Sequence, residues 1–260
     1  MVNGKSVGLG IVSGYMQIYN VMRTVRILLN HEVRAYPFLL FVSLGLVHSP
    51  AFAQCDAVTE QAENADGSSL QLVVQYCDEA IERDIRVSYR ATADESYTQL
   101  FHLVQDAEEA PMGGAALRDL DGDGLHELET RGMCGAGPNC EGAIYRLTSE
   151  RDALFEFFAS GYADLIMVDE FLVESGRASC CSWEYHVYLP RSNSEPVQAS
   201  DFVYAMAVGI DVGSDTDNDV TCTFTDSQNQ VVVPSNPNLL ALCSHYGPDY
   251  ILATPESTTL

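Results

Sequence analysis

Lysine is nearly missing from this chain. There is one, Lys5, and none follows residue 53. The residues after 53 hold nine arginines against 36 acids, a net charge of −27 within a total of −24. A polyanion without lysine cannot displace counterions from phosphate, so nucleic acid is excluded as a partner. An anionic membrane surface is disfavoured for the same reason. Several chemical signatures are absent too. There is no G-x-S-x-G nucleophile elbow, no phosphate-binding glycine loop and no C-x-x-C pair. His126-Glu127 begins like a zinc-protease motif, but Thr130 stands where the second histidine belongs. Disorder is excluded by what the chain does have, since 47% hydrophobic residues supply a core.

The apolar run at 36–47 has 12 residues, too few for an ordinary transmembrane helix. Arginines precede it and Ala51-Phe52-Ala53 follows it, the layout of a signal peptide cleaved after Ala53. Met22 offers an alternative start that shortens this leader. Residues 1–53 are therefore expected to be an export signal, and 54–260 a single β-rich domain, periplasmic or secreted, with no membrane span after cleavage.

All eight cysteines lie in the exported part, which predicts a disulfide framework. Eight cysteines allow 105 pairings. Sequence proximity suggests Cys55 with Cys77 and Cys222 with Cys243. Cys134, Cys140, Cys180 and Cys181 then pair among themselves, the adjacent Cys180 and Cys181 taking separate partners. A redox-active or metal-binding thiol pair is the functional alternative.

Hydrophobic periodicity is two almost throughout. Ile85, Val87, Tyr89 and Ala91 alternate with polar residues, as do Trp183, Tyr185, Val187 and Leu189. Leu70, Leu72, Val74 and Tyr76 share a face, and so do Phe202, Tyr204, Met206, Val208 and Ile210. Strict alternation predicts strands with one buried face. Further strands are expected at 99–105, 143–148, 153–158, 164–168, 221–225 and 230–233, with 153–158 the strongest rival for a helix. Turn-rich stretches separate them. The expected fold is all-β and antiparallel, a sandwich or a partial propeller-like domain.

One loop carries chemistry. Residues 117–128 read LRDLDGDGLHEL. Hard cations such as Ca²⁺ take six to eight oxygens. Asp119, Asp121 and Asp123 at loop positions 1, 3 and 5 can converge on one centre, with Gly122 and Gly124 permitting the tight path. The Leu125 carbonyl and the Glu127 carboxylate complete the set. Thr130 at position 12, where a bidentate Glu would be needed, excludes an EF-hand. Clustered carboxylates repel unless a cation joins them.

This D-x-D-G-D-G-x-x-E-L stretch, running into a strand, resembles the calcium loop of FG-GAP/VCBS repeat proteins of the integrin-propeller type. The resemblance extends over about 116–190, through Cys134–Cys140, Ile144-Tyr145, 161–165 and the Trp183–Tyr188 strand. These features are similar to small exported bacterial proteins, some of which are calcium-binding immunity proteins inhibiting lysozyme-like cell-wall hydrolases. The resemblance implies a Ca²⁺-stabilised module that binds a basic protein. High negative charge fits such a partner, because complementary fields steer encounter.

A second acidic cluster, Asp211, Asp215, Asp217 and Asp219, repeats the 1-3-5 spacing but lacks the glycine, and is expected to be a solvated loop. His186, opposite Trp183 and Tyr185, is expected on a surface. Trp183 and Tyr185 read as core aromatics before they read as a sugar platform. A secreted hydrolase with an acidic glycan-binding cleft is the rival function, and a surface adhesion module a third.

Overall fold

Three antiparallel meanders make up the described part of the protein. The computed structural model describes residues 55–77, 81–135, 137–210 and 219–255. The expected leader (1–53), the Met22 start, and Asp211, Asp215 and Asp217 lie outside these residues. The first sheet runs β1 (Cys55–Glu63), β2 (Ser69–Cys77), β3 (Glu82–Arg90), β4 (Thr98–Asp106). The second runs β5 (Gly114–Arg118), β6 (Glu127–Cys134), β7 (Cys140–Leu147), β8 (Leu154–Tyr162). The third holds β9 (Asp164–Val168), β10 (Phe171–Arg177), β11 (Ser182–Tyr188), β12 (Tyr204–Ile210), β13 (Val220–Asp226) and β14 (Val231–Val232). A last strand, β15 (Ile251–Leu252), pairs with β13 in parallel.

Within each sheet every strand but β15 pairs with its neighbour in sequence, mostly across short turns, whereas β11 reaches β12 through the longer stretch 189–203. Asp169 (φ 52°) sits in the two-residue β9–β10 connection, and Arg151 (φ 59°) and Asn229 (φ 59°) take left-handed positions between β7 and β8 and between β13 and β14. The rival helix at 153–158 is strand β8.

Alternation decides what each face meets. Leu70, Leu72, Val74, Ile85 and Val87 of the first sheet pack against Leu117 and Leu128 of the second. The opposite face of the second sheet, through Ile144, Phe158 and Tyr162, packs against Leu165, Leu172 and Tyr188 of the third. The far face of the third sheet, with Val173, Val187, Val208 and Phe224, is covered by Leu239 and Cys243 of a 3-10 helical segment, Pro237–Tyr246. Each such fully buried aliphatic or aromatic side chain contributes about 1.5–3 kcal/mol relative to exposure. The all-β antiparallel expectation is met, with sheets packed in layers as in a sandwich. No sheet closes into a barrel among the described residues.

Being covered on both faces gives the second sheet an ionic layer on its side toward the third. Glu129 accepts from Arg118 Nη1 at 2.9 Å and pairs with Arg131 Nε at 2.9 Å. Arg131 lies over the Tyr162 ring, 4.2 Å from its centroid, and donates to the carbonyls of Tyr162 and Ala163. Burial of a charge is tolerable only with such complete pairing.

The disulfides are partly as expected. Cys222 is bonded to Cys243, tying β13 to the 3-10 segment. Cys55 is disulfide-bonded, and Cys77 is its register partner across β1–β2. The expectation for the remaining four is corrected. Cys134 and Cys140 are bonded to each other, and Cys180 and Cys181 are free. The physical reason is register: Cys134 and Cys140 oppose each other at the neck of the β6–β7 hairpin, with Cα atoms 3.9 Å apart.

Candidate metal centre

The turn between β5 and β6 is built on its own aspartates. Asp119 accepts from Gly122 N through Oδ1 (2.8 Å) and from Gly124 N through Oδ2 (3.1 Å). Asp121 Oδ1 accepts from Asp123 N (3.2 Å), and Asp123 Oδ1 from Leu125 N (2.7 Å). Each aspartate thus closes a small ring with the backbone ahead of it, which short carboxylates favour in turns. The path needs φ of 75° at Gly122 and 84° at Gly124, values that glycine adopts without penalty. Asp119, Asp121 and Asp123 each bring one carboxylate oxygen within 4.8 Å of the others, so this cluster can hold a metal ion.

Distant residues hold the loop in place. Gly124 O accepts from Ala65 N at 2.8 Å, in the β1–β2 turn. Asn64 Oδ1 accepts from His126 N at 2.9 Å and lies 3.1 Å from His126 Nδ1. That turn is in turn fastened by Arg151, which pairs with Asp66 and donates to Ser68 Oγ at 3.2 Å. His126 is therefore a docking residue rather than half of a zinc motif.

Glu127 opens β6 and points toward the third sheet, almost wholly buried. Its Oε2 accepts from Leu120 N at 2.9 Å, and its Oε1 is 3.1 Å from Arg146 Nε. Arg146 also donates from Nη2 to Asp121 Oδ2 at 2.8 Å, while its guanidinium lies 3.9 Å from the centroid of the Phe157 ring. One buried arginine therefore bridges two of the five expected ligand residues. Asn193 Nδ2 adds a contact to Asp121 Oδ2 at 3.3 Å. Burial raises the Glu127 carboxyl to about 7, and the neighbouring Asp121 and Asp123 charges push the same way, against the Leu120 hydrogen bond and Arg146. Beside the loop lies a cavity of about 260 Å³, bordered by Asp123, Glu127, Arg146, Ser149, Arg151 and Asn193.

Local spacing signals the three aspartates. It could not signal Asn64, Arg146, Arg151 or Asn193, which reach the loop from other turns and strands. The other singled-out residues have structural partners. His186 is half-buried, with Nδ1 2.7 Å from Glu174 Oε1 and its ring 5.0 Å from that of Phe202. Tyr185 belongs to the third sheet's core and meets His245 Nδ1 at 2.7 Å, and Trp183 packs against that core. Asp219 lies just before β13, outside any metal cluster among the described residues.

Comparison with protein-family models and with curated proteins gives no match. A solved structure of a Xanthomonas type IV secretion system related protein is similar in part, with a TM-score of 0.41 and 11% identity, covering 68% of this chain and 93% of that one. Likeness that loose carries neither fold detail nor function across. Among the described residues no helix is long and apolar enough to cross a membrane.

Proposed function

We propose that this chain is an exported, disulfide-stapled β module, periplasmic or secreted, that binds Ca²⁺ at the β5–β6 loop and acts on a basic protein partner. The observation that carries the metal reading is the convergence of Asp119, Asp121 and Asp123 on one point. An all-oxygen set suits a hard cation. The Leu125 carbonyl and Glu127 complete the shell, with Glu127 shared between the ion and Arg146. The role of the ion is structural. It neutralises the loop that joins β5 to β6 and is docked on the β1–β2 turn, so it fastens two sheets together. At 1 mM Ca²⁺ and a Kd of about 10⁻⁴ M, mass action stabilises the fold by about 1.4 kcal/mol. A thermal melt with millimolar Ca²⁺ and then with chelator tests this. An upward shift lost in Asp121→Ala is expected, and no shift refutes the site.

Charge supports the partner class. Five of the nine arginines after residue 53 (Arg86, Arg118, Arg131, Arg146 and Arg151) are engaged in ion pairs within the protein. Few free cations remain to interrupt the negative field. The family resemblance points to a lysozyme-like cell-wall hydrolase as the basic target, with this chain as its inhibitor or immunity protein. Lysis by basic hydrolases should slow when the purified chain is added with Ca²⁺, and the association rate should fall steeply with salt. If no enzyme is slowed and none binds, the reading is wrong.

One observation favours a second reading, a secreted hydrolase acting on glycans. The Glu127 carboxyl, raised to about 7, borders the 260 Å³ cavity, and a raised carboxyl can serve as a general acid. Glycan turnover by the purified chain, lost in Glu127→Gln, would favour it over the binding module.

A further inference from the structure

The loop between β10 and β11 holds the two cysteines that the disulfide framework leaves out. Cys180 is exposed and Cys181 half-buried, and both are free, while Cys55, Cys134, Cys140, Cys222 and Cys243 are all bonded. They are adjacent in the chain. The loop is shaped around them. Arg177 donates from Nε to Ser179 O (2.9 Å) and from Nη2 to Cys180 O (3.2 Å). Ser179 Oγ accepts from Cys181 N at 3.2 Å, and Cys181 O accepts from Ile210 N at 2.9 Å. The loop is also clamped from the side. Asn139 Oδ1 accepts from Arg177 N at 2.7 Å and Asn139 Nδ2 donates to Arg177 O at 3.0 Å. Between the β6–β7 hairpin tip and this loop lies a cavity of about 470 Å³, bordered by Gly135, Gly137 and Asn139 on one side and by Arg177, Ser179 and Cys180 on the other. Cys180 therefore fronts a space large enough to admit a small thiol compound, with a guanidinium beside it.

We propose that Cys180 and Cys181 form a thiol–disulfide exchange site, which reacts with the disulfide of an incoming molecule and closes reversibly into a vicinal disulfide. The exposed Cys180 sulfur, as thiolate after losing its proton to solvent, attacks one sulfur of R–S–S–R′. That bond breaks, and R′S⁻ leaves and takes up a proton. Cys180 now carries R as a mixed disulfide. Cys181 then loses its proton and attacks the Cys180 sulfur, and RS⁻ departs and is protonated. Two protein thiols are oxidised by two electrons, and one external disulfide is reduced to two thiols. The division of roles follows from exposure, because attack requires access.

Adjacency explains why this pair stays reversible while the others are staples. A disulfide between adjacent residues closes a small ring that contains the peptide bond joining them, and so works against the planar trans geometry of that peptide. A bond forced across them is strained and easily reduced, the behaviour of labile rather than structural disulfides.

The test uses the purified chain in glutathione disulfide–glutathione mixtures, read by intact mass and by the fluorescence of Trp183, the single tryptophan, two residues from Cys181. The wild type should lose two hydrogens without retaining glutathione, with a Trp183 signal that reverses on reduction. Cys181→Ser should trap one glutathione on Cys180, and the Cys180→Ser/Cys181→Ser chain should show neither change. The proposal is overturned if the wild type accumulates the glutathione adduct as Cys181→Ser does. It is equally overturned if both thiols persist in the most oxidising mixture, or if the doubly substituted chain still loses two hydrogens.

Discussion

Gly122 and Gly124 stand two residues apart in the same loop, both with positive φ, yet replacing them by alanine should have unequal effects. At Gly122 a Cβ would meet nothing within 4 Å. Gly122→Ala therefore incurs only the left-handed backbone penalty, about 1–2 kcal/mol, offset in part by about 0.4–1 kcal/mol of lost unfolded-state freedom. At Gly124 a Cβ would fall 2.5 Å from the Ala65 Cβ, so the β1–β2 turn must move as well. Overpacking of that kind adds about 1–3 kcal/mol, giving about 2–4 kcal/mol in all. In a domain of this size each kcal/mol moves Tm by about 2–4 °C. Gly122→Ala should lower Tm by roughly 2–4 °C and Gly124→Ala by roughly 5–15 °C, measured by calorimetry in chelator so that metal binding does not enter. The Gly124→Ala loss should shrink in Ala65→Gly, where the opposing Cβ is removed. Equal shifts from the two alanines, or no rescue by Ala65→Gly, would refute the docking of the loop on the first sheet.

Arg146→Met removes the cation shared by Asp121 and Glu127 and leaves two crowded carboxylates. It should cost about 3–5 kcal/mol in chelator, by urea denaturation, and added Ca²⁺ should restore more stability than it adds to the wild type. The Glu174 hydrogen bond holds His186 above its ordinary value of 6.5, against burial. A raised histidine contributes stability fully below its unfolded pKa and loses it as pH rises through the folded one, so stability should fall from about pH 6.5 upward. His186→Gln should flatten that part of the pH profile. The effect is modest, because the ring is 37% exposed. Replacing both Cys222 and Cys243 by alanine opens a loop of sequence separation 21. It should cost about 3–4 kcal/mol in denaturant midpoint measurements.

How much could be read in advance varied by element. Strands β2, β3 and β12 stand out by alternation because each has one face in a core, and β11 does so up to Val187, before Tyr188 enters the core on the other face. Strand β1 (CDAVTEQAE) has no such pattern. It is exposed at all but one position and is held by its pairing to β2 along its whole length. Strand β6 (ELETRGMC) reads as polar, yet its first four residues are buried. Both its faces are covered, and the acids on one of them are matched by arginines from β5, β6 and β7. The 3-10 segment Pro237–Tyr246 gave no periodic signal, and it is placed by the Cys222–Cys243 bond and by Asn236 and Asn238 donating to Asp169.

The metal loop divides along the same line. Three aspartates at alternate positions with glycines between them are a local statement, and short-range sterics and hydrogen bonds fold them into one turn whatever surrounds it. The all-β class, the acidic surface and the cysteine content belong equally to the sequence alone. Only the tertiary structure decided that Arg146 lies between Asp121 and Glu127, that Asn64 and Ala65 fasten the loop to another sheet, and that Cys180 and Cys181 go without disulfide partners. Those outcomes depend on which strands come to lie opposite one another, and the packing of sheet on sheet is a property of the whole chain.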